Sequence, residues 1–553
     1  MLGAVALVGC GTDVQSVEAD PQPEILHGTQ CNAPATTSFE DACRPCVCTE
    51  DGVWECFRDS CIQVTAAEPA ASLLVVIDDS SSMGVERQAR LAAGLAEFAA
   101  VFEGQRDPVE LRIGFTTTDM GHPLCDPATN DEGALLLRSC REHLEDFAAG
   151  SETESPIPED AAARGCTDRC LLDDLATVAT AATQDPVAKP RPWLQSYDGV
   201  TNLASGATMA EALACAVPQG VRGCDFESPL VALSTAYGRG LDPADPAFGF
   251  PQGFFDANAV LVVSDEADCS YQQEWETVFD PEGSRTFWSD AEAEAATSAV
   301  CWNAGVRCEG GPGSFDRCFA EDINTAEFDT TNSDDAILVP VSKLVRDFPS
   351  HPEFAEPRFA GLLGVPEDGE LVYSDGSDDP EFARQFGVGP GCGTADERAV
   401  PPVRMLEVGG RFDGPELVSS VCADDYGPAL VELAESLLTE AQGGSGCYLG
   451  CAADTDPETT VMEPFCYVSE TWFEEGVPKA RFVPPCELDE VPEGEPVCYL
   501  ARHVNALPEG CREQGSNLQI AVRRNRDAGR PTGSTVTAVC QPSEDPGRDC
   551  PGA

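Results

Sequence analysis

Two apolar runs far apart in the chain each end abruptly in a cluster of acids, and this pairing restricts the fold more than any other feature. The first, Leu73-Leu74-Val75-Val76-Ile77, leads into Asp78-Asp79-Ser80-Ser81-Ser82. The second, Asn258 to Val263, leads into Ser264-Asp265-Glu266-Ala267-Asp268. Runs without polar interruption predict strands buried on both faces of a sheet. After the first turn Leu91, Leu95, Phe98 and Phe102 recur at helical spacing. Strand, oxygen-rich turn and amphipathic helix make one unit of an α/β sheet, and such sheets place ligands at the carboxyl ends of their strands. Asp78, Ser80 and Ser82 alternate, so their oxygens can converge there, and Asp265 adds a carboxylate from the second strand end. Carboxylates mixed with hydroxyls suit a hard divalent cation that keeps part of its water. For Asp265 taken alone, capping of a helix is the competing reading.

The pattern D-x-S-x-S at Asp78, Ser80 and Ser82, followed by Met83, and an aspartate after a later strand at Asp265, resemble the metal-ion-dependent adhesion site of von Willebrand factor type A domains. The resemblance covers residues 70 to 440. The strings VVSDEADCS and SSVCADDYGPAL further resemble large cysteine-rich bacterial lipoproteins of this class. The resemblance implies an α/β fold, Rossmann-like and doubly wound, with a mostly parallel sheet and helices on both faces. It also implies a bound Mg2+ or Ca2+, and a protein partner that completes the ion's shell with an acidic residue. Ser81 stands where the family usually has glycine, a departure the turn tolerates if it needs no positive φ there. The family's remaining ligand is a threonine before a middle helix, and two residues compete for that place. Glu227 has the matching offset to the Ala-Leu that follows it, with Pro229 suited to a helix start. Thr208 has the matching chemistry. Glu227 is the favoured reading, and it would give the site three carboxylates.

The chain has 27 cysteines, an odd number. Leu7-Val8-Gly9-Cys10 resembles a bacterial lipobox, whose cysteine carries lipid. Setting Cys10 aside leaves an even number, compatible with full pairing in an oxidising compartment. The expectation is an extracytoplasmic protein on a lipid anchor, at the outer membrane or cell surface, with the membrane met by lipid alone. The formal charge of -63 repels nucleic acid and anionic membrane, since binding either requires neutralising phosphates.

The chain divides by composition. Residues 1–10 read as the lipoprotein signal, 11–30 as a flexible tether and 31–61 as a small six-cysteine module similar to pacifastin-type or type C-like knots. Residues 70–440 form the large domain with cysteine-rich insertions. Residues 441–553, with eight cysteines, read as a disulfide-rich β module. Within the large domain, Ile337 to Val341, Phe359 to Val365 and 418 to 422 are sheet candidates. Cys215 and Cys224 are expected to pair locally, and Cys269 is expected to pair with Cys301, Cys308 or Cys318. The five histidines are scattered, as if on surface loops, and no nucleophile stands beside a base. A binding protein is therefore expected rather than an enzyme, with a purely structural surface protein as the first alternative and a metal-dependent hydrolase built on Asp78 and Asp265 as the second.

Overall fold

The structure, a computed structural model, describes residues 37–39, 45–48, 53–56 and 62–65 and, from 70 to 550, all but short stretches. The longest of these are 149–158, 251–256, 348–356, 455–463 and 526–533. Cys10 and the 11–30 tether lie outside the described residues, as does most of the six-cysteine module.

The apolar runs become the centre of a seven-stranded sheet. Its strands are β1 (Ala70–Ile77), β2 (Glu110–Thr117), β3 (Leu194–Tyr197), β4 (Val200–Thr201), β5 (Ala257–Val263), β6 (Arg358–Leu363) and β7 (Leu417–Ser420). The sheet order is β7-β6-β5-β1-β2-β3-β4. The five strands from β7 to β2 are parallel, and β3 and β4 are antiparallel additions at one edge. From β1 the chain first winds outward to β4, then crosses back to β5 and winds the other way. The order therefore reverses between β1 and β5, and the carboxyl ends of strands at such a switch point are where doubly wound sheets place their ligands. Every residue of β1 and of β5 is buried, as unbroken apolar runs require.

Among the described residues, six helices cover the faces: α1 (Gly84–Phe102), α2 (Met209–Ala216), α3 (Pro229–Leu241), α4 (Val341–Asp347), α5 (Val403–Gly409) and α6 (Gly427–Gly443). Because side chains alternate along a strand, Leu73, Val75 and Ile77 of β1 pack under α1, α2 and α6. Leu74 and Val76 pack under α3, α4 and α5. On α1 the stripe of Leu91, Leu95, Phe98 and Phe102 is at most 3% exposed, so each contributes roughly 1.5–3 kcal/mol relative to exposure. Gly94 lets α6 come close: a Cβ there would stand 2.8 Å from Leu430 Cδ1 and 3.3 Å from the Gly427 amide nitrogen. Among the described residues, no helix is long and apolar enough to cross a membrane.

Three expectations are corrected. Ile337 to Val341 adds no strand to the sheet: Leu338 makes an isolated bridge with Tyr271, and Val341 opens α4. Proline at 340 suits a helix start and removes a ladder donor. Cys215 and Cys224 do not pair with each other; Cys215 joins Cys170 and Cys224 joins Cys125. Sequence nearness misled because Cys215 sits buried on α2, inside the core, while Cys224 belongs to the loop that leads to α3. His122 and His143 are not surface residues but are each 5% exposed. Cys269 does join Cys301.

Beyond residue 443 the eight cysteines pair among themselves, 447–511, 451–550, 466–540 and 486–498. The central sheet here has strands Val477–Phe482, Cys466–Glu474, Thr535–Cys540 and Ile62–Thr65 in that order. Its last strand comes from just before β1, so the segment entering the large domain is stitched to the chain's far end. Strands Thr37–Phe39, Pro45–Cys48 and Trp54–Cys56 form a separate antiparallel sheet in the six-cysteine region.

Candidate metal centre

The carboxyl ends of β1 and β5 collect the side chains on which the sequence pattern converged. Asp78, at the end of β1, is fully buried and anchored from both strands. Its backbone N–H donates to the Val263 carbonyl at 2.9 Å, and its Oδ2 accepts from the Ser264 hydroxyl at 2.7 Å. Its Oδ1 accepts from the Ser80 N–H at 2.9 Å, which folds the turn back over the strand end. That turn brings Ser80 Oγ and Ser82 Oγ to 3.0 Å from each other. Ser82 Oγ then donates to Asp265 Oδ1 at 3.1 Å, with Glu266 Oε1 at 3.4 Å. Ser81 is absent from the positive-φ residues, whereas Gly84, at φ 63°, takes the left-handed turn into α1. Serine at this position, where the resembled family usually has glycine, thus costs no backbone strain.

Glu227 enters from the loop before α3. It is fully buried, and neither carboxylate oxygen accepts a hydrogen bond. Its backbone is pinned, with its carbonyl accepting from the Cys269 N–H at 2.6 Å and the next residue's hydroxyl donating to the Cys269 carbonyl at 3.0 Å. Burial, then the charges of Asp78, Asp79 and Glu266, hold its carboxyl well above the usual range. The Thr118 hydroxyl, just past β2, opposes this from outside hydrogen-bonding geometry. Burial, then the charge of Asp265, pushes Asp78 up to about 6 despite the bonds from Ser80 and Ser264. Asp79, also buried, is raised well above its ordinary value by burial and by Asp119, Asp131 and Asp78, and its Oδ1 has no partner. No basic side chain figures among the leading influences on these three acids.

Disulfides brace the loops that carry this rim. Cys125–Cys224 ties the loop after β2 to the loop before Glu227, and Cys269–Cys301 ties down the loop after Asp265. Thr208, the competing ligand, has its hydroxyl engaged elsewhere. It caps α2, accepting from the Glu211 N–H at 3.2 Å and donating to the Glu211 carboxylate at 2.8 Å. Asp119, just past β2, accepts from the Gly121 N–H at 2.9 Å, and its charge bears on Asp79.

Arg87, which the sequence reading passed over, is part of the same rim. Its Nη1 donates to Asp265 Oδ2 at 2.5 Å, with both side chains 2% exposed. It lies four residues before Leu91, on the apolar stripe of α1, and a charge on a buried stripe was the signal that could have found it.

The donor set fits a hard cation. Two hydroxyls and a carboxylate lie within hydrogen-bond distance along the line Ser80–Ser82–Asp265. Glu227 and Asp79 offer buried oxygens with nothing bound to them. Among the described residues, no trio of carboxylates here closes within 4.8 Å, so hydroxyls and water would have to complete the shell. The two tight clusters elsewhere, His122–Cys125–Cys224 and Cys140–Cys166–Cys170, consist of disulfide cysteines and, in the first, a histidine. His122 stacks on Phe226 at 4.3 Å, edge-on to Phe279, and burial pushes it down to about 3.

No family model matches the chain, and no curated protein matches it. Among solved structures, the chain is similar to the pilus adhesin SpaC of Lactobacillus rhamnosus GG in its open conformation. The identity is 8% and the TM-score 0.27, over 86% of this chain and 39% of that chain. The chain thus spans well under half of that adhesin, and a likeness this slight carries no argument about fold or function.

Proposed function

We propose that this chain is a non-enzymatic surface protein of the von Willebrand type A kind, whose rim takes up Mg2+ or Ca2+ and presents it to an acidic side chain of a protein partner. The observation that carries this reading is Glu227, a carboxylate buried beside Asp78 and Asp79 with both oxygens unpartnered. Isolated buried acids cost several kcal/mol unless something compensates them. A divalent ion held by Ser80, Ser82, Asp78, Asp265 and Glu227, directly or through water, would compensate them together. Its Lewis acidity would supply the attraction for an incoming carboxylate, while the protein's part is to fix the ligands and leave one side open. In this reading Cys10 carries a lipid anchor outside the cytoplasm, and fatty-acid labelling that persists in Cys10→Ser would remove that part.

The test is calorimetric titration of the purified chain with Mg2+ and Ca2+ after treatment with chelator. The expected result is one ion per chain, with affinity at least about a hundredfold weaker in Asp78→Ala, since that variant loses a charged ligand. Equal affinity in Asp78→Ala would return the chain to a structural surface protein.

A further inference from the structure

Arg87 meets the proposed ion site from behind. Asp265 has one oxygen toward Ser82 and the other toward Arg87, so the arginine occupies the side of the carboxylate opposite the serine hydroxyl. The guanidinium is clamped there. Nη1 also donates to the Ser82 carbonyl at 3.2 Å, Nη2 donates to the Arg398 carbonyl at 3.1 Å, and Glu397 lies 3.9 Å from Nε. The Val400 N–H donates to the Asp265 carbonyl at 2.8 Å, so the same segment holds both partners. Packing alone does not account for this arrangement. A buried ion pair contributes little stability over an apolar pair of similar volume.

We propose that Arg87 is a fixed internal counter-charge that sets the site's affinity for its cation. The inference builds on the cation reading above and adds the residue that tunes it. A positive charge locked beside one ligand opposes entry of a second cation through a partly buried, weakly screening medium. The acid-rich rim would otherwise hold a divalent ion tightly and use up its charge on its own carboxylates. By neutralising Asp265, Arg87 leaves more of the ion's charge for a carboxylate arriving from outside. Arg87 is thus the residue that keeps a site with three carboxylates from becoming a closed calcium store.

The experiment is titration of the full chain with Ca2+ and with Mg2+, alongside thermal melting with and without ion. Arg87→Met should bind either ion roughly tenfold or more tightly and gain more melting temperature from it than the unaltered protein does. Arg87→Lys keeps the charge and should fall well short of that gain. If Arg87→Met folds poorly because Asp265 is left uncompensated, the pair Asp265→Asn and Asp265→Asn/Arg87→Met answers the same question without a stranded carboxylate. The double variant should bind the ion more tightly than the single one. Ion affinity lost in Asp78→Ala but unmoved, or weakened, by removing Arg87 would overturn the role of Arg87 and leave the site standing. No ion uptake by the unaltered protein would remove both.

Discussion

Two parts of the molecule bury carboxylates and treat them in opposite ways. In the C-terminal sheet, Glu470 is fully buried but flanked by arginines, bonding to Arg524 at 2.7 Å and to Arg481 at 2.6 Å. Burial alone would raise its carboxyl, yet Arg524, Ser534 and Arg481 together bring it below the ordinary value. At the rim of the large sheet, Asp78, Asp79 and Glu227 are also buried, and all three are raised. Glu470 carries its own counter-ions and serves the fold. The rim acids are left short of positive charge, with Arg87 committed to Asp265, and that shortage is what a cation from solution would relieve.

The comparison breaks most readily at Glu470. Glu470→Ala should cost about 3–5 kcal/mol, because it strands a buried guanidinium, while ion affinity at the rim stays within about twofold. Chemical denaturation paired with ion titration measures both, and a large change in ion affinity would erase the contrast between the regions. Glu227→Gln should do the reverse. Without ion the variant should melt at or above the temperature of the unaltered chain, since a charge that burial disfavours is gone, and ion affinity should fall about tenfold. A variant that melts lower without ion and binds equally well would make Glu227 an ordinary structural residue.

Acidity provides a third, smaller effect. Asp78 holds its proton up to about pH 6 in the folded chain and releases it near 3.8 when unfolded. Between those values the folded state binds more protons, so this group's contribution to stability falls as pH rises through the window. The ion-free protein should therefore lose melting temperature between pH 4 and pH 6.5 to a degree that shrinks in Asp78→Asn. Added Ca2+ or Mg2+ should offset the loss, because the ion favours the charged carboxylate. An identical pH profile in Asp78→Asn would show that the proton sits elsewhere. The smallest effect belongs to Thr208→Val, which should cost about 1 kcal/mol through loss of the α2 cap and leave ion affinity unchanged. A shift of more than a few fold in ion affinity would bring Thr208 back as a ligand.

Much of this is legible in the amino-acid sequence. Unbroken apolar runs are buried strands wherever they fall, so β1 and β5 could be read from Leu73–Ile77 and Asn258–Val263. The stripe of α1 was written in its own spacing, and the oxygen-rich turn after Ile77 followed from residue types within five positions. Glu227 was reachable through its offset and Pro229, which does open α3. These signals are local: each depends on the backbone's repeat and on neighbours one turn or one strand away.

Tertiary structure decided whatever depended on which distant surfaces meet. Local spacing suggested Cys215 with Cys224, but the packing of α2 into the core gave Cys215 to Cys170 and left Cys224 for Cys125. His122 reads as a loop residue until Phe226 and Phe279 close around it from two other segments. Ile62–Thr65 found its sheet partner near residue 540, a pairing no local pattern encodes. Arg87 acquired its partner only when the fold brought Asp265, at the end of β5, against it from 178 residues away. A residue's burial and its pKa are set by the sum of everything packed around it, so sequence alone could name the acids of the rim, and only the closed fold could decide which of them lacked a counter-charge.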